Sequence, residues 1–148
     1  MFNITHKFLT PTSKLISVPD EESLRYYLFL GTVQLVNGND SINIDWDNIP
    51  LLDFSYIMFC ISEILSNKIE ATESFSFTES DDTISFLKKE ADLHITTSYS
   101  SEKIEGKFDE FAKEAKSFYK KIVTEIEDEY VDIKKSPFFL IYSDKVKW

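Results

Sequence analysis

The chain has one cysteine, Cys60, so no disulfide can close within it. It has two histidines, His6 and His94, and neither has a second histidine one helical turn away, so metal-site spacing is missing. Three glycines in 148 residues give no glycine-rich phosphate loop, and four prolines leave little room for long irregular segments. The strained Ser turn of the α/β-hydrolases and the EF-hand loop are also lacking. Asp45-Trp46-Asp47-Asn48 and Glu79-Ser80-Asp81-Asp82 resemble fragments of calcium loops without the spaced ligand series or its glycine. The expectation is therefore no catalytic residue, no metal and no cofactor. The longest apolar stretch, Phe54 to Leu65, is broken by Ser55, Ser62 and Glu63. It falls short of the ~18 apolar residues expected of a spanning helix. Met1 to Lys7 lacks the basic start and apolar core of a signal peptide. With the lone cysteine, this points to the cytoplasm, the alternative being a mature form whose leader has been removed.

Positive charge is scarce too. Sixteen Lys and Arg face 26 Asp and Glu, a formal charge of −10. Residues 1–50 carry −3, residues 51–100 carry −6 and residues 101–148 carry −1. Such a field repels nucleic acid and anionic lipid and speeds encounter with basic partners. What is abundant is aromatic: 13 Phe, and 43% hydrophobic residues. That excludes a disordered acidic tail. The length predicts one domain over 1–148, able to bury roughly 70% of its unfolded surface.

Short β-prone runs at Phe2-Asn3-Ile4 and Lys14 to Val18 precede a strand predicted over Arg25 to Val36. Asn37-Gly38-Asn39-Asp40 is a strong hairpin turn, because Asn-Gly tolerates positive φ. Ser41 to Trp46 returns as a second strand, with Ile42, Ile44 and Trp46 on one face. Phe54, Ile57, Met58, Ile61, Ile64 and Leu65 recur at spacings of three and four, with Tyr56, Phe59 and Cys60 widening the stripe, which predicts a sandwiched helix over 52–66. Three strands follow, Glu70 to Thr78, Thr83 to Lys88 and Asp92 to Tyr99, as a hairpin meander. The stripe Phe111, Ala115, Phe118, Tyr119, Ile122, Ile126 predicts a helix over 108–129. The acids at Glu125 and 127–129 oppose its dipole, and this conflict suggests fraying or a basic partner. The expected architecture is α+β: an antiparallel sheet, built as hairpin and three-strand meander, with both helices on one face.

Candidate contacts are the acidic turns. Asp45 and Asp47 flank Trp46 where the second strand meets the first helix. Glu79, Asp81 and Asp82 cap a hairpin, and Glu90 and Asp92 sit at the next turn. Each cluster is either a partner contact or a solvated turn. Trp46 is either an interface anchor or a core residue at the sheet end.

Gly31-x-Val33-x-Leu35, Asn37-Gly38, the apolar helix Leu51 to Leu65, Phe75-Ser76-Phe77 and Phe108-x-x-Phe111 form a series of landmarks. Over about residues 25–130 the series resembles a family of small acidic bacterial proteins. Some members are immunity proteins of contact-dependent growth inhibition and related polymorphic toxin systems. The resemblance implies a cytoplasmic antidote, a monomer or weak dimer. It would bind one cognate toxin domain, often a basic nuclease, and block its active site. The alternative from another class is a type III secretion chaperone, also small, acidic and α+β, which dimerises and exposes an apolar groove for an effector segment. Such chaperones usually begin with a helix, whereas residues 1–46 read as strands here.

Overall fold

The computed structural model describes residues 1–9, 19–77 and 80–146; within these ranges the side chains of Tyr26, Tyr27, residues 45–48 and Val131 are not described. The run Lys14 to Val18 and Glu79 lie outside the described residues. The chain is α+β with two antiparallel sheets. Strands β1 (Phe2–Phe8), β2 (Leu30–Asn37) and β3 (Asp40–Pro50) form the first, in the order β1-β2-β3. Gly38, at φ 61°, makes the predicted turn between β2 and β3. Helix α1 (Leu51–Ser66) then leads into β4 (Glu70–Ser76), β5 (Thr83–Lys89), β6 (Asp92–Thr97) and β7 (Lys103–Lys107), paired in sequence order. Helices α2 (Phe108–Glu129) and α3 (Pro137–Asp144) complete the chain, joined by a 3-10 turn over Val131–Lys135.

Three expectations change. The single sheet is two sheets, and the meander has a fourth strand, β7. The first strand does not start at Arg25. Ser23–Tyr27 is a π-helical turn, in which the Leu28 amide donates to the Ser23 carbonyl at 3.0 Å. Asp20 starts it by accepting from the Ser23 amide at 2.8 Å, and Leu24 is buried beneath it. Phe29 at φ 57° then redirects the chain into β2.

Helix α2 buries the predicted stripe whole, Phe111 to Ile126, and packs on α1 and β1. Buried residues of both sheets and all three helices form one continuous cluster. The edge of β1 is met by α2: the Ile4 amide donates to Glu114 at 2.7 Å, and His6 Nε2 lies 2.8 Å from Glu125. Lys134 pairs with Glu127 at 3.0 Å. Two of the acids that crowd the C-terminal end of α2 therefore have partners from elsewhere in the fold, which offsets the dipole conflict. Helix α3 docks through Phe139 and Tyr142, and the Tyr119 hydroxyl donates to the Tyr142 carbonyl at 2.7 Å. Ser136 caps α3 by accepting from the Phe139 amide, and its own hydroxyl donates to the Pro19 carbonyl at 2.9 Å.

Candidate functional site

The sheet topology decides which acidic turns share a surface. Asp82 precedes β5 and Glu90 follows it. At about 3.3 Å per residue, on the order of 25 Å of strand separates them. The candidate residues therefore divide between two ends of the second sheet.

At one end, Asp81 is exposed beside Asp82. The Asp82 amide donates to the Ser80 hydroxyl at 3.2 Å, and the Ser98 hydroxyl donates to the Asp82 carboxylate at 3.4 Å. Ser98 opens the β6–β7 turn, and the next residue, Tyr99, donates its hydroxyl to the Asn43 carbonyl at 3.1 Å. The Asn43 amide side chain donates to Glu102 at 2.7 Å. The first sheet is thus fastened to this end of the second at Asn43, and β3 runs on from there into Asp45-Trp46-Asp47. The backbone directs those three residues toward the end that carries Asp81 and Asp82. Glu102, which the sequence did not single out, belongs to the same end.

At the other end, Glu90 and Ala91 make the β5–β6 turn, with Glu90 at φ 54°. Asp92 is already engaged: Lys107 donates to it at 2.7 Å and holds its carboxyl below the usual range. His94 lies 3.6 Å from Glu105 on the neighbouring strand. Among the described residues no group of three or more His, Cys, Asp or Glu comes together to hold a metal. Cys60 is half-buried within α1, one turn after Tyr56.

A feature absent from the sequence reading is a cleft of about 350 Å³ between the π-helical turn, α1 and α3. Glu21 and Arg25 line one side, and Asp53, Tyr56 and Ile57 of α1 form the floor. Phe138, Ile141, Tyr142 and Lys145 close the third side. Arg25 lies 3.7 Å from the Asp53 carboxylate. Burial raises the Asp53 carboxyl above its usual range, and Arg25 opposes that shift only in part. Tyr56 meets Tyr142 edge to face at 5.4 Å, and the Lys145 ammonium sits 5.6 Å from the Tyr56 ring centre. Its three walls come from segments more than 25 residues apart, so no local spacing announces it.

Fold and surface together define a class: a two-sheet α+β protein with acidic turns at both ends of its second sheet and an aromatic cleft against its helices. No protein-family model matches the chain, and no curated protein or solved structure matches it. Among the described residues no helix is long and apolar enough to cross a membrane.

Proposed function

We propose that the chain is a non-enzymatic, protein-binding immunity protein of the cytoplasm that neutralises one cognate toxin domain. It binds a basic toxin domain, a nuclease being the expected kind, and covers its active site with an acidic surface that stands in for phosphate. The observation that carries this reading is the gathering of Asp81, Asp82 and Glu102 at one end of the molecule, toward which β3 carries Asp45-Trp46-Asp47. Glu102 is held by the Asn43 side-chain amide at 2.7 Å, and a carboxylate fixed in this way loses less freedom when it engages a partner.

The test is co-expression with the basic product of the neighbouring open reading frame. Replacing Asp81 and Asp82 by Lys abolishes protection and weakens the complex, and added salt weakens the native complex. Turnover of a substrate by the purified chain, or full protection by the double reversal, would remove the proposal.

The exposed apolar residues of α3, Phe138, Leu140 and Ile141, favour the chaperone alternative. That reading requires a stable homodimer with affinity for an unfolded effector segment, which light scattering on the purified chain decides.

A further inference from the structure

We infer that the cleft between the π-helical turn, α1 and α3 is the anchor pocket for the partner, taking a basic side chain, arginine above all, carried on an apolar segment. The inference rests on the protein-binding reading and not on the identity of the toxin.

Three observations bear on the occupant. The first is size: about 350 Å³ lies in the range of small binding clefts and holds one long side chain with its neighbours. The second is wall chemistry. Tyr56 and Tyr142 stand edge to face and offer ring surface, while Asp53 and Glu21 supply carboxylates. Aromatic faces beside carboxylates recognise a cation on an apolar stem. The Asp53 carboxylate is largely buried, with Arg25 Nε 3.7 Å from it, and a cation entering the cleft would add a second charge-assisted donor to it. The third is that the cation position is already marked from within. Lys145, exposed at the end of α3, holds its ammonium 5.6 Å from the Tyr56 ring centre. It occupies the place that an incoming guanidinium would take.

The surroundings fit a protein segment better than a free small cation. Phe138 is 37% exposed and Ile141 58% exposed on the lip, an apolar margin that only a larger partner covers. The overall charge of −10 complements a basic partner. The backbone of β3, which leads away from Asn43 at the proposed acidic face through residues 45–47, comes close to the π-helical turn that walls the cleft. An apolar anchor beside a charged rim is the usual anatomy of a protein interface.

The probe is an acetylated, amidated pentapeptide with arginine between two pairs of leucines, titrated into the full chain and followed by amide and aromatic NMR shifts. A glutamate-centred peptide is the control. The arginine peptide moves the resonances of Tyr56, Ile57 and Ile141, and the control does not. Asp53→Asn weakens binding about tenfold, the scale of one charge-assisted hydrogen bond. Lys145→Ala strengthens it about two- to fivefold, by vacating an exposed ring face. Glu21→Gln, at an exposed position, repeats the direction of Asp53→Asn without risk to the fold, and unchanged thermal midpoints qualify every variant. Equal binding of the control peptide, shifts that map elsewhere, or weaker binding by Lys145→Ala overturns the anchor. The two readings fail separately. Protection lost by reversing Asp81 and Asp82 with the cleft silent removes the anchor alone, whereas arginine-peptide binding without protection from any toxin removes the immunity role alone.

Discussion

Lys88 shows how far a single residue can depart from its usual place. It points inward on β5 with Ile84 and Phe86 and is only 8% exposed. Its ammonium donates to the carbonyls of Leu65 at 3.0 Å and Lys68 at 2.6 Å, and lies 4.5 Å from the Phe108 ring centre. The last carbonyls of a helix have no partner within it, so Lys88 caps α1 from the neighbouring sheet. Lys88→Met keeps the stem but leaves both oxygens without that donor, at an expected cost of about 2–3 kcal/mol. Urea unfolding should show a lower midpoint at unchanged slope; a loss below about 0.5 kcal/mol would mean that water replaces the cap. Three tyrosines give a second residue-scale expectation. The Cys60 hydrogen bond, then burial, pushes Tyr56 up from 10.0 to about 12. Burial comes first in raising Tyr119 and Tyr142. In the folded chain these phenols keep their protons above pH 10, where the unfolded chain releases them. The native state then binds more protons, so stability is full below about pH 10 and falls as pH rises above it. Absorbance at 295 nm should show part of the seven tyrosines ionising only together with unfolding. A smooth titration of all seven below pH 11 would count against these burials.

At the scale of elements, legibility followed the length of the periodic signal. Helix α2 was readable because its apolar stripe repeats over about four turns, and α1 because its stripe repeats over about three. Strand β7 was not, because Lys103-Ile104-Glu105-Gly106-Lys107 offers one apolar residue, Ile104, to the core. The run Arg25 to Leu30 is too short and too uniformly apolar to separate a helical turn from a strand. The division into two sheets depends on which edges meet across long sequence separations, and no local pattern carries that. The acidic turns were legible as turns at the two ends of the predicted strand Thr83 to Lys88, but the meeting of Asn43 with Glu102 and Tyr99 across the two sheets was not, because it joins residues more than 50 positions apart. Two glycines test the packing between elements. A Cβ on Gly31 would lie 2.3 Å from the Lys7 carbonyl oxygen and 2.7 Å from a Leu51 methyl. Gly31 is held between β1 and β3, so neither neighbour can withdraw cheaply. Gly31→Ala should cost about 2–3 kcal/mol by overpacking. On Gly106 the Cβ meets the Asn37 side-chain amide at 2.5 Å, a movable group that otherwise donates to the Glu105 carbonyl. Gly106→Ala should cost under about 1 kcal/mol. Thermal unfolding of the two variants side by side checks the order, and a reversed order would contradict the described approach of β1 to β2.

For the molecule as a whole, two electrostatic effects oppose each other, and their magnitudes decide the response to salt. The exposed pairs Asp92–Lys107, Glu70–Lys89 and Lys135–Asp132 favour the fold only weakly, because solvent screens them, and salt weakens them further. Against them stands a net charge of −10 on a domain with a radius of gyration of about 15 Å. The Debye length is ~30 Å at 0.01 M salt and ~8 Å at 0.15 M. At low salt every acid therefore feels every other, and at physiological salt only its neighbours. Repulsion summed over the whole chain outweighs a few surface pairs, so salt should stabilise this protein. The thermal midpoint should rise by about 3–6 °C between 0.01 and 0.15 M NaCl, equivalent to about 1–2 kcal/mol at this size. Association with a basic partner should respond in the opposite sense, its rate falling about tenfold over the same range as steering is screened. Scanning calorimetry and stopped-flow mixing measure the two. A midpoint that falls with salt would mean that local pairs dominate the fold, and an association rate indifferent to salt would mean that the acids do not face the partner.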